Sequence, residues 1–306
     1  MGLPPRRREV RNHTLDSTRW GEFRFRAGDI VAGTWAKAGT TWILQILAHL
    51  LLPGAARLPV LEIAPWIDQR CLPKEPMFAR LEAQTHRRFV KTHLPADSLI
   101  FSPLAQYIYV ARDGRDALWS WHNHHRSLTP HALRLINEPP GRVGPPLGPA
   151  NPDVQRYFHD WLDGDGYPLW PFWSHVQSWW DIRNRPNVLL VHFNDLKADL
   201  ALEMQRIARF LAIPVEAARW PGMVERCSFD YMKENASLLS PTLDLAFTGG
   251  AGTFLYKGTN GRWRDILSDD DVRKYERAAR RNLSADCAAW LVSGQSRSNG
   301  PPQAVS

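Results

Sequence analysis

The fold of this chain is decided by residues 29–42, which read DIVAGTWAKAGTTW. The apolar run 29–32 predicts a short buried strand, and the apolar pattern of 42–51 predicts a helix. A turn of small residues lies between them. The free N–H groups at the start of a helix, together with the helix dipole, favour a bound anion. The stretch therefore predicts a strand, an anion-binding loop and a helix.

The loop also carries donor groups of its own. Lys37 adds a mobile point charge, and Thr40 and Thr41 add hydroxyl groups. The Walker A loop, G-x-x-x-x-G-K-[ST], places its lysine after the last glycine, whereas Lys37 precedes Gly39. This order argues against a site for a magnesium-bound nucleoside triphosphate. It also places the ammonium group on the open side of the loop, near a reacting group.

The composition is typical of a globular protein, and its net positive charge favours anionic partners. The chain has 306 residues, of which 44% are hydrophobic, and this length suffices for one large α/β domain. Its net charge of +7 favours anionic partners. No zinc-finger spacing, helix-turn-helix pattern or aromatic–basic RNA motif is present in the sequence, so nucleic acid is not an expected partner. Most of the 14 tryptophans are expected in the core.

Cysteine usage and the apolar runs bear on the compartment. Cys71, Cys227 and Cys287 follow no disulfide pattern and are expected to be reduced thiols. The N-terminus lacks the apolar segment of a secretory signal. The longest apolar run, 42–52, is too short to span a bilayer. We therefore expect a soluble, cytoplasmic protein without a membrane span.

Strands and helices alternate along the rest of the chain. Further strands are predicted at 88–92, 107–111 and 187–193. Helices are predicted at 119–125 (after a capping Asp113), 153–162, 170–183, 195–210 and 269–282. This alternation, without internal repeats, predicts a single α/β domain, 29–292, whose P-loop-like parallel sheet is flanked by helices on both faces. An N-terminal segment, 1–28, precedes it, and a polar tail, 293–306, is expected to be disordered.

Four further segments carry side chains suited to a ligand. KTHLP (91–95) ends the second strand, where ligands gather in open α/β sheets. RDGRDALWS (112–120) follows the third strand, and its first arginine and last serine can converge on a second phosphate. CSFDYM (227–232) offers an aromatic ring and a thioether for stacking a base. FLYKGTNGRW (254–263) is a basic loop that contains glycine.

In this order the segments resemble the motifs of the cytosolic sulfotransferases, a family that uses 3′-phosphoadenosine 5′-phosphosulfate (PAPS). The family patterns are P-K-[SG]-G-T-T-W, K-[ST]-H-L-P, R-x7-S, S-F-x-x-M and R-K-G-x-x-G-x-W. Their combination is specific, and the resemblance covers residues 29–263. It implies an enzyme that moves the sulfuryl group of PAPS to a hydroxyl or amine of a small, aromatic or lipophilic acceptor. The product would be 3′,5′-diphosphoadenosine (PAP), and no metal is needed.

The resemblance also implies roles for individual residues. It assigns the 5′-phosphosulfate loop to Lys37, Ala38, Gly39, Thr40, Thr41 and Trp42, with Trp42 stacking on adenine. It assigns the 3′-phosphate and the adenine to Arg112, Ser120, Phe193, Cys227, Phe229, Met232, Phe254, Tyr256, Lys257 and Gly258. His93 is implied as the general base and Lys91 as its companion. Lys37 is implied to stabilise the leaving oxygen, and Ser120 to hold Lys37 back until the acceptor arrives.

Five positions depart from the family pattern. Ala36 replaces proline, Ala38 serine, Phe193 tyrosine, Cys227 threonine and Tyr256 arginine. The last change removes one charged contact to the 3′-phosphate. The family's dimer motif, K-x-x-x-T-V-x-x-x-E, is absent near the C-terminus, so the oligomeric state stays open.

Two other functions remain open from the sequence. One is a P-loop-type small-molecule kinase, which needs magnesium and the missing G-K-[ST] order. The other is a non-catalytic nucleotide-binding protein, which does not need a histidine at position 93. Histidines 122, 124 and 125 lie too close together on one helix to form a metal-ligand set, so we expect a surface face and no metal site.

The acceptor site is the part of the enzyme that the sequence defines least. Trp66 and Phe78 are candidates for lining it. The stretch 138–152 is dense in proline and glycine and lacks periodicity, which predicts a long surface loop of the kind that often forms a lid.

Overall fold

A four-stranded parallel sheet forms the centre of the fold. The computed structural model describes residues 2–54, 58–240 and 242–294. The strands are β1 (Ile30–Thr34), β2 (Phe89–Thr92), β3 (Gln106–Ala111) and β4 (Val188–His192), in the order β2-β1-β3-β4. All three neighbouring pairs are parallel. The predicted α/β fold with a parallel sheet is confirmed.

Helices surround this sheet in the described residues. They are α1 (Thr40–Leu51), α2 (Val60–Ile63), α3 (Lys74–Ala83), α4 (Gly114–Arg126), α5 (Pro130–Asn137), α6 (Val154–Asp163), α7 (Trp173–Asp181), α8 (Phe193–Ala198), α9 (Leu200–Phe210), α10 (Trp220–Arg226), α11 (Phe229–Glu234), α12 (Leu243–Ala246), α13 (Ala251–Phe254), α14 (Asp269–Asn282) and α15 (Ala285–Ser293). Short 3₁₀ turns lie at Ser17–Gly21, Ala96–Ser98, Ala217–Arg219 and Ala236–Leu238.

The strands bury side chains on both faces of the sheet. Along β3, Tyr107 and Tyr109 belong to one hydrophobic cluster, whereas Ile108 and Val110 belong to the other. The first cluster contains most of the buried tryptophans, and the second contains the buried face of α1. Side chains alternate across a strand, so continuous apolar runs are expected where both faces are covered. The sheet therefore has a separate core on each side.

The strand order places one edge of the sheet at a topological switch point. The chain runs from β1 outward to β2, and then returns past β1 to β3. The loops after β1 and β3 therefore leave the carboxyl edge side by side and in opposite directions. Open α/β sheets bind ligands in this crevice. The predicted anion loop and Arg112 lie here.

Several predicted boundaries are wrong by a few residues. Helix α1 begins at Thr40 instead of at 42, because the loop tightens at Gly39. The predicted helix 195–210 is two helices, since Asp199 ends α8 and caps α9 by accepting a hydrogen bond from the Leu202 N–H. Helix α7 begins three residues later than predicted, at Trp173. Asp113 caps α4 as expected, through the Arg115 N–H.

The expectation of a solvent-exposed histidine face on α4 is wrong. His122 and His125 are buried. The Nε2 atom of His122 lies 2.8 Å from the Asn151 carbonyl oxygen, and that of His125 lies 2.7 Å from the Gly148 carbonyl oxygen. Both histidines thus bind backbone carbonyl groups of the 138–152 loop and satisfy them in the interior.

The two ends of the chain differ in how much of them is described. Leu15, Trp20 and Phe23 of the N-terminal segment are buried in the first hydrophobic cluster. The predicted disordered tail lies outside the described residues, apart from Ser293, which ends α15, and Gly294. Within the described ranges, no helix has the length and apolar character needed to cross a membrane.

Candidate active site

The loop between β1 and α1 is shaped by two residues with positive φ angles. Lys37 has φ 63° and Gly39 has φ 116°, which favours glycine because it lacks a Cβ. A Cβ at Gly39 would lie 3.2 Å from the Phe193 ring and 3.4 Å from the Val110 side chain. Gly39 has no side-chain cap to bind the first N–H groups of α1. The first N–H groups of α1 thus have no side-chain cap, and their binding of an anion stays a prediction.

Lys37 is half-buried, and other positive groups lie near its ammonium. Its Nζ lies 3.3 Å from His124 Nδ1 and 3.5 Å from the Phe254 carbonyl oxygen. It also sits 4.7 Å from the centre of the Phe254 ring. Burial, followed by the charges of Arg112 and Lys91, lowers the pKa of Lys37 to about 7. Among the described residues, no carboxylate forms an ion pair with Lys37.

His93 stands just beyond the end of β2 in a defined orientation. Its Nδ1 lies 2.7 Å from the Thr34 carbonyl oxygen, which can only accept a hydrogen bond. Nδ1 therefore carries the proton, and Nε2 keeps its lone pair. Trp66 contacts the ring edge-on at 4.7 Å between centres, and Trp170 lies at 5.6 Å. Burial, followed by the charge of Lys91, holds the pKa of His93 well below its usual value, so the imidazole is neutral at neutral pH.

A buried carboxylate, Asp68, supports this histidine from behind. Its oxygens accept hydrogen bonds from the Trp20 and Trp66 indole N–H groups and from the His93 backbone N–H, at 3.1, 2.7 and 3.1 Å. Lys91 Nζ lies 4.6 Å from the Trp66 ring centre. Burial lowers the pKa of Lys91 to about 8, and the charge of Asp68 opposes that shift. Asp68 therefore fixes the backbone of His93 and favours the charged form of Lys91.

Arg112 joins the loop after β3 to the segment 254–263. Its guanidinium donates to the Asn260 side-chain oxygen at 2.6 and 3.0 Å and to the Thr259 carbonyl oxygen at 3.0 Å. A further bond of 3.3 Å reaches the Lys37 carbonyl oxygen. The guanidinium lies 4.1 Å from the centre of the Phe193 ring. Arg112 thus connects three of the segments that the sequence singled out.

The basic loop 254–263 is held over the sheet edge by further hydrogen bonds. The Gly261 N–H donates to Asp116 at 2.7 Å, and Lys197 Nζ donates to the Gly258 carbonyl oxygen at 2.9 Å. Gly258 has φ 63°, and a Cβ there would lie 2.5 Å from the Phe229 ring. The loop therefore depends on a glycine at this position to pack against α11.

These segments enclose one cavity of about 470 Å³. Of the residues predicted for the site, those that line it are Lys37, Gly39, Thr40, Thr41, Trp42, Lys91, His93, Arg112, Ser120, Phe193, Phe229, Met232, Phe254, Tyr256, Lys257 and Gly258. Ala38 and Cys227 do not line it, and both are buried. The Cys227 carbonyl oxygen instead accepts a hydrogen bond of 2.7 Å from the Trp42 indole, which fixes the orientation of that ring.

Tyr256, the sharpest departure from the family pattern, lines the cavity and remains 40% exposed. The Arg262 guanidinium stacks over its ring at 5.0 Å, and Lys257 Nζ lies 5.5 Å from it. Arg262 also lines the cavity. Arg262 therefore places a guanidinium close to position 256, where the family motif has an arginine.

The other end of the cavity is aliphatic. Trp66 lines it as expected, whereas Phe78 packs against the core and does not reach it, so that prediction is wrong. The 138–152 loop contributes Leu147, whose N–H and carbonyl are both bonded to the Asn137 side chain at 2.8 and 2.9 Å. Three exposed leucines at positions 72, 135 and 245 also line this end.

Sequence reasoning missed four residues that shape the site. These are Asp68, Asp116, His124 and Asn260, of which Asp116 and His124 also line the cavity. Asp116 lies in the motif 112–120 and Asn260 in the motif 254–263. The basic residues beside them are the sequence feature that could have marked both as site residues. Asp68 lies in no motif, and nothing in the sequence marks it.

The fold and this cavity together define an α/β protein with a glycine-containing loop, a neutral histidine and several cationic side chains at one sheet edge. Residues 27–286 match the sulfotransferase domain family, which is most of the chain. A glycolipid sulfotransferase of Mycobacterium bovis (strain BCG / Pasteur 1173P2) is 30% identical over 312 residues, covering 93% of this chain and 94% of that relative. The chain therefore belongs to the sulfotransferase family, and the predicted enzyme class is confirmed.

Solved structures show the same fold at lower identity. The mouse sulfotransferase SULT7A1, complexed with PAP, has a TM-score of 0.68 at 21% identity and covers 89% of this chain and 90% of its own. Retinol dehydratase in complex with retinol and PAP has a TM-score of 0.70 at 22% identity, with coverage of 88% and 85%. Both agree with the single-domain α/β architecture.

Proposed function

We propose that this sulfotransferase uses PAPS as donor and a small, lipophilic molecule with a hydroxyl or amine group as acceptor. The observation that carries the proposal is that His93, Lys37 and Arg112 line one cavity. A base for the acceptor, a cation for the leaving group and a cation for a second phosphate are the groups that the reaction requires. We assign the activity to residues 29–292, which the family match over 27–286 supports.

The residues present fit an anionic donor. The loop around Gly39 offers N–H groups without a side-chain cap at the start of α1, and a Cβ at Gly39 would crowd the Phe193 ring at 3.2 Å. Lys37 is half-buried and Arg112 is buried, and burial lowers the pKa of Arg112 to about 10. A bound anion would relieve this cost of burial. We therefore assign Lys37, Thr40 and Thr41 to the phosphosulfate and Arg112 and Ser120 to the 3′-phosphate.

The adenine is assigned to an aromatic wall. Trp42 and Phe193 meet edge-on with 5.2 Å between ring centres, and Phe229 and Met232 line the same end of the cavity. Aromatic faces and a thioether provide stacking partners for a base. Phe254, Tyr256, Lys257 and Gly258 complete this end in our proposal. Cys227 contributes through its backbone, since its side chain does not reach the cavity.

PAPS supplies an activated sulfuryl group whose bridging oxygen leaves with the 5′-phosphate. In our proposal His93 Nε2 takes the proton of the acceptor hydroxyl while the acceptor oxygen forms its bond to sulfur. The Thr34 carbonyl holds the tautomer that leaves Nε2 free. The same carbonyl stabilises the imidazolium that results. Lys37 neutralises the charge on the leaving oxygen as the old sulfur–oxygen bond breaks.

The acceptor is proposed to enter past the aliphatic end of the cavity. Leu72, Leu135 and Leu245 are 48%, 44% and 65% exposed there, and Trp66 and Trp170 lie deeper, beside His93. Apolar surface of this kind favours a lipophilic acceptor over a sugar phosphate or an amino acid. The glycolipid sulfotransferase among the relatives is consistent with such an acceptor.

The experiment that tests the proposal compares donors and metals. Wild-type protein is incubated with a panel of phenols, alcohols and amines, either with PAPS or with ATP and Mg²⁺. Sulfuryl transfer from PAPS that persists in excess EDTA is expected. Phosphoryl transfer from ATP that depends on Mg²⁺ would favour the kinase alternative. PAP binding without turnover on any acceptor would favour the non-catalytic alternative.

A cytoplasmic location also stays a proposal. The three cysteines are buried and unpaired, as expected for a reducing compartment.

A further inference from the structure

The side chain of His124 lies against the catalytic lysine. His124 is on α4, and its Nδ1 is 3.3 Å from Lys37 Nζ. Its ring packs between Phe247, at 4.7 Å between ring centres, and Trp121, at 5.1 Å. It also lines the cavity. The contact joins the loop after β1 to a helix on the other side of the switch point.

The chemistry of the two groups sets the direction of the hydrogen bond. An ammonium group has donors only, so His124 Nδ1 accepts from Lys37 while Lys37 is charged. This requires a neutral imidazole. Burial, followed by the charge of Lys37, holds the pKa of His124 well below its usual value. His124 is therefore a neutral acceptor, and its proton resides on Nε2.

The same contact bears on the role implied for Ser120. Ser120 lines the cavity, but the polar partners of Lys37 Nζ in the described part of the chain are His124 and the Phe254 carbonyl oxygen. The acceptor nearest to the ammonium is thus the imidazole of His124, which lies about one helical turn after Ser120 on α4. The His124 imidazole is stacked on Trp121 and meets Phe247 edge-to-face, whereas a serine hydroxyl rotates freely.

We propose that His124 is a positioning residue that holds Lys37 in place and keeps it charged for sulfuryl transfer. The inference rests on the role proposed for Lys37. His124 does not contact the reacting atoms in this scheme; it acts through the lysine. It takes over the holding role that the resemblance gives to Ser120.

Several charged groups affect the pKa of Lys37. A test must therefore separate the effect of His124 from the effects of these groups. Arg112, after β3, and Lys91, on β2, both disfavour the charged form of Lys37. His93 and His125 face His124, and both disfavour its protonation. His124 stabilises the Lys37 ammonium by accepting its shorter hydrogen bond, at 3.3 Å, and the Phe254 carbonyl oxygen accepts the longer one, at 3.5 Å. Its removal should therefore lower the pKa of Lys37 further.

The test measures Lys37 itself, in the full chain without donor or acceptor. Trace labelling with acetic anhydride between pH 5.5 and 9.5, read by mass spectrometry, gives the titration midpoint of Lys37. His124→Phe keeps a ring but removes the acceptor, and His124→Asn returns an acceptor near the position of Nδ1. We expect His124→Phe to lower the midpoint by on the order of one pH unit and His124→Asn to stay close to wild type. Ser120→Ala should leave the midpoint unchanged.

Turnover provides the second measurement. We expect kcat to fall roughly tenfold in His124→Phe and to recover to within about threefold of wild type in His124→Asn. An unchanged midpoint in a folded His124→Phe, or a midpoint in His124→Asn displaced as far as in His124→Phe, would overturn the proposal. So would a shift produced by Ser120→Ala alone. If His124→Phe does not fold, His124→Leu takes its place. Absent turnover in wild type would overturn the proposed function instead, because labelling needs no turnover.

Discussion

The imidazole Nδ1 of His93 lies 2.7 Å from the backbone carbonyl oxygen of Thr34, the last residue of β1. This bond links the end of one strand to the end of its neighbour, because Gly33 pairs with Thr92 directly before both residues. A backbone carbonyl cannot be moved by a rotamer change, so the histidine tautomer is set by the sheet itself. The orientation of the proposed base is therefore a property of the fold.

The first prediction concerns this histidine. His93→Ala should lower kcat by about 10²–10⁴, because the acceptor hydroxyl loses its proton acceptor. PAP binding should change little, since His93 lies at the acceptor end. Steady-state kinetics with PAPS and titration calorimetry with PAP check the two statements. Thr34→Ser is the matched control, because it keeps the carbonyl that faces Nδ1 and the hydroxyl that lies 2.6 Å from Thr40 Oγ1, so it should retain most of the activity. A His93→Ala enzyme within a few-fold of wild type would remove His93 from the mechanism.

The second prediction concerns recognition of the 3′-phosphate. Arg112→Ala should reduce the preference for PAPS over adenosine 5′-phosphosulfate by roughly 2–4 kcal/mol, about 30- to 1000-fold. Arg112 also holds Asn260, so loop loosening must be separated from charge loss. Asn260→Ala loosens the same contact and keeps the guanidinium, so it should weaken both nucleotides alike. Equal wild-type affinity for the two nucleotides would contradict the assignment.

The third prediction concerns pH. Lys37, with its pKa lowered to about 7, is largely neutral at pH 8 in the free enzyme. A bound anion favours the ammonium form and raises that pKa, so PAP binding at pH 8 should take up protons and weaken as pH rises above 7. Calorimetry in two buffers of different ionisation enthalpy measures the uptake. Lys37→Met should reduce it, leaving the smaller part due to Lys91, whose pKa is about 8. Identical uptake in both proteins would contradict the prediction.

The fourth prediction concerns the aliphatic end of the cavity. Leu72→Ser and Leu135→Ser should each lower kcat/KM for a long-chain alcohol by about 5- to 30-fold, the cost of about one leucine contact. The affinity for PAP should not change. Leu104→Ser is the matched control, because Leu104 is as exposed as Leu72 but does not line the cavity. Equal losses in the control variant would indicate a general effect on the protein.

The sequence predicted the parts of the fold that are locally encoded. Residues 188–191 of β4 are all apolar, so a buried parallel strand is the expected structure. Its end is not encoded in the same way. Phe193 continues the apolar run but begins α8, because the His192 side chain accepts a hydrogen bond from the Asn194 N–H and caps the helix. A histidine cap is not among the usual sequence signals for a helix start.

Site residues that lie in contiguous motifs could be predicted from the sequence. Site residues that are brought to the cavity only by tertiary contacts could not. His93 and Arg112 directly follow strands and Lys37 lies three residues after one, and parallel strands bring their carboxyl ends to one edge. Asp68 reaches His93 from an irregular segment, and Phe78 fails to reach the cavity, although both positions look equally plausible in the sequence. His124 looked like a surface residue because three histidines on one helix are polar. Burial of these rings depends on the loop carbonyls and the lysine that they meet.

The last prediction concerns Tyr256. A phenol donates one neutral hydrogen bond, whereas an arginine donates two charged ones, a difference of about 1–2 kcal/mol. Tyr256→Arg should therefore tighten PAP binding roughly tenfold and steepen its salt dependence. The side chain is 40% exposed, so the new charge is not buried and the melting temperature should change little. Arg262, which stacks on Tyr256, loses its partner ring and repels the new guanidinium, and this sets the upper limit of the gain. Tyr256→Phe is the control and should bind PAP slightly more weakly than wild type. Calorimetry at two ionic strengths decides the matter, and unimproved affinity with an unchanged melting temperature would mean that Arg262 already serves the phosphate.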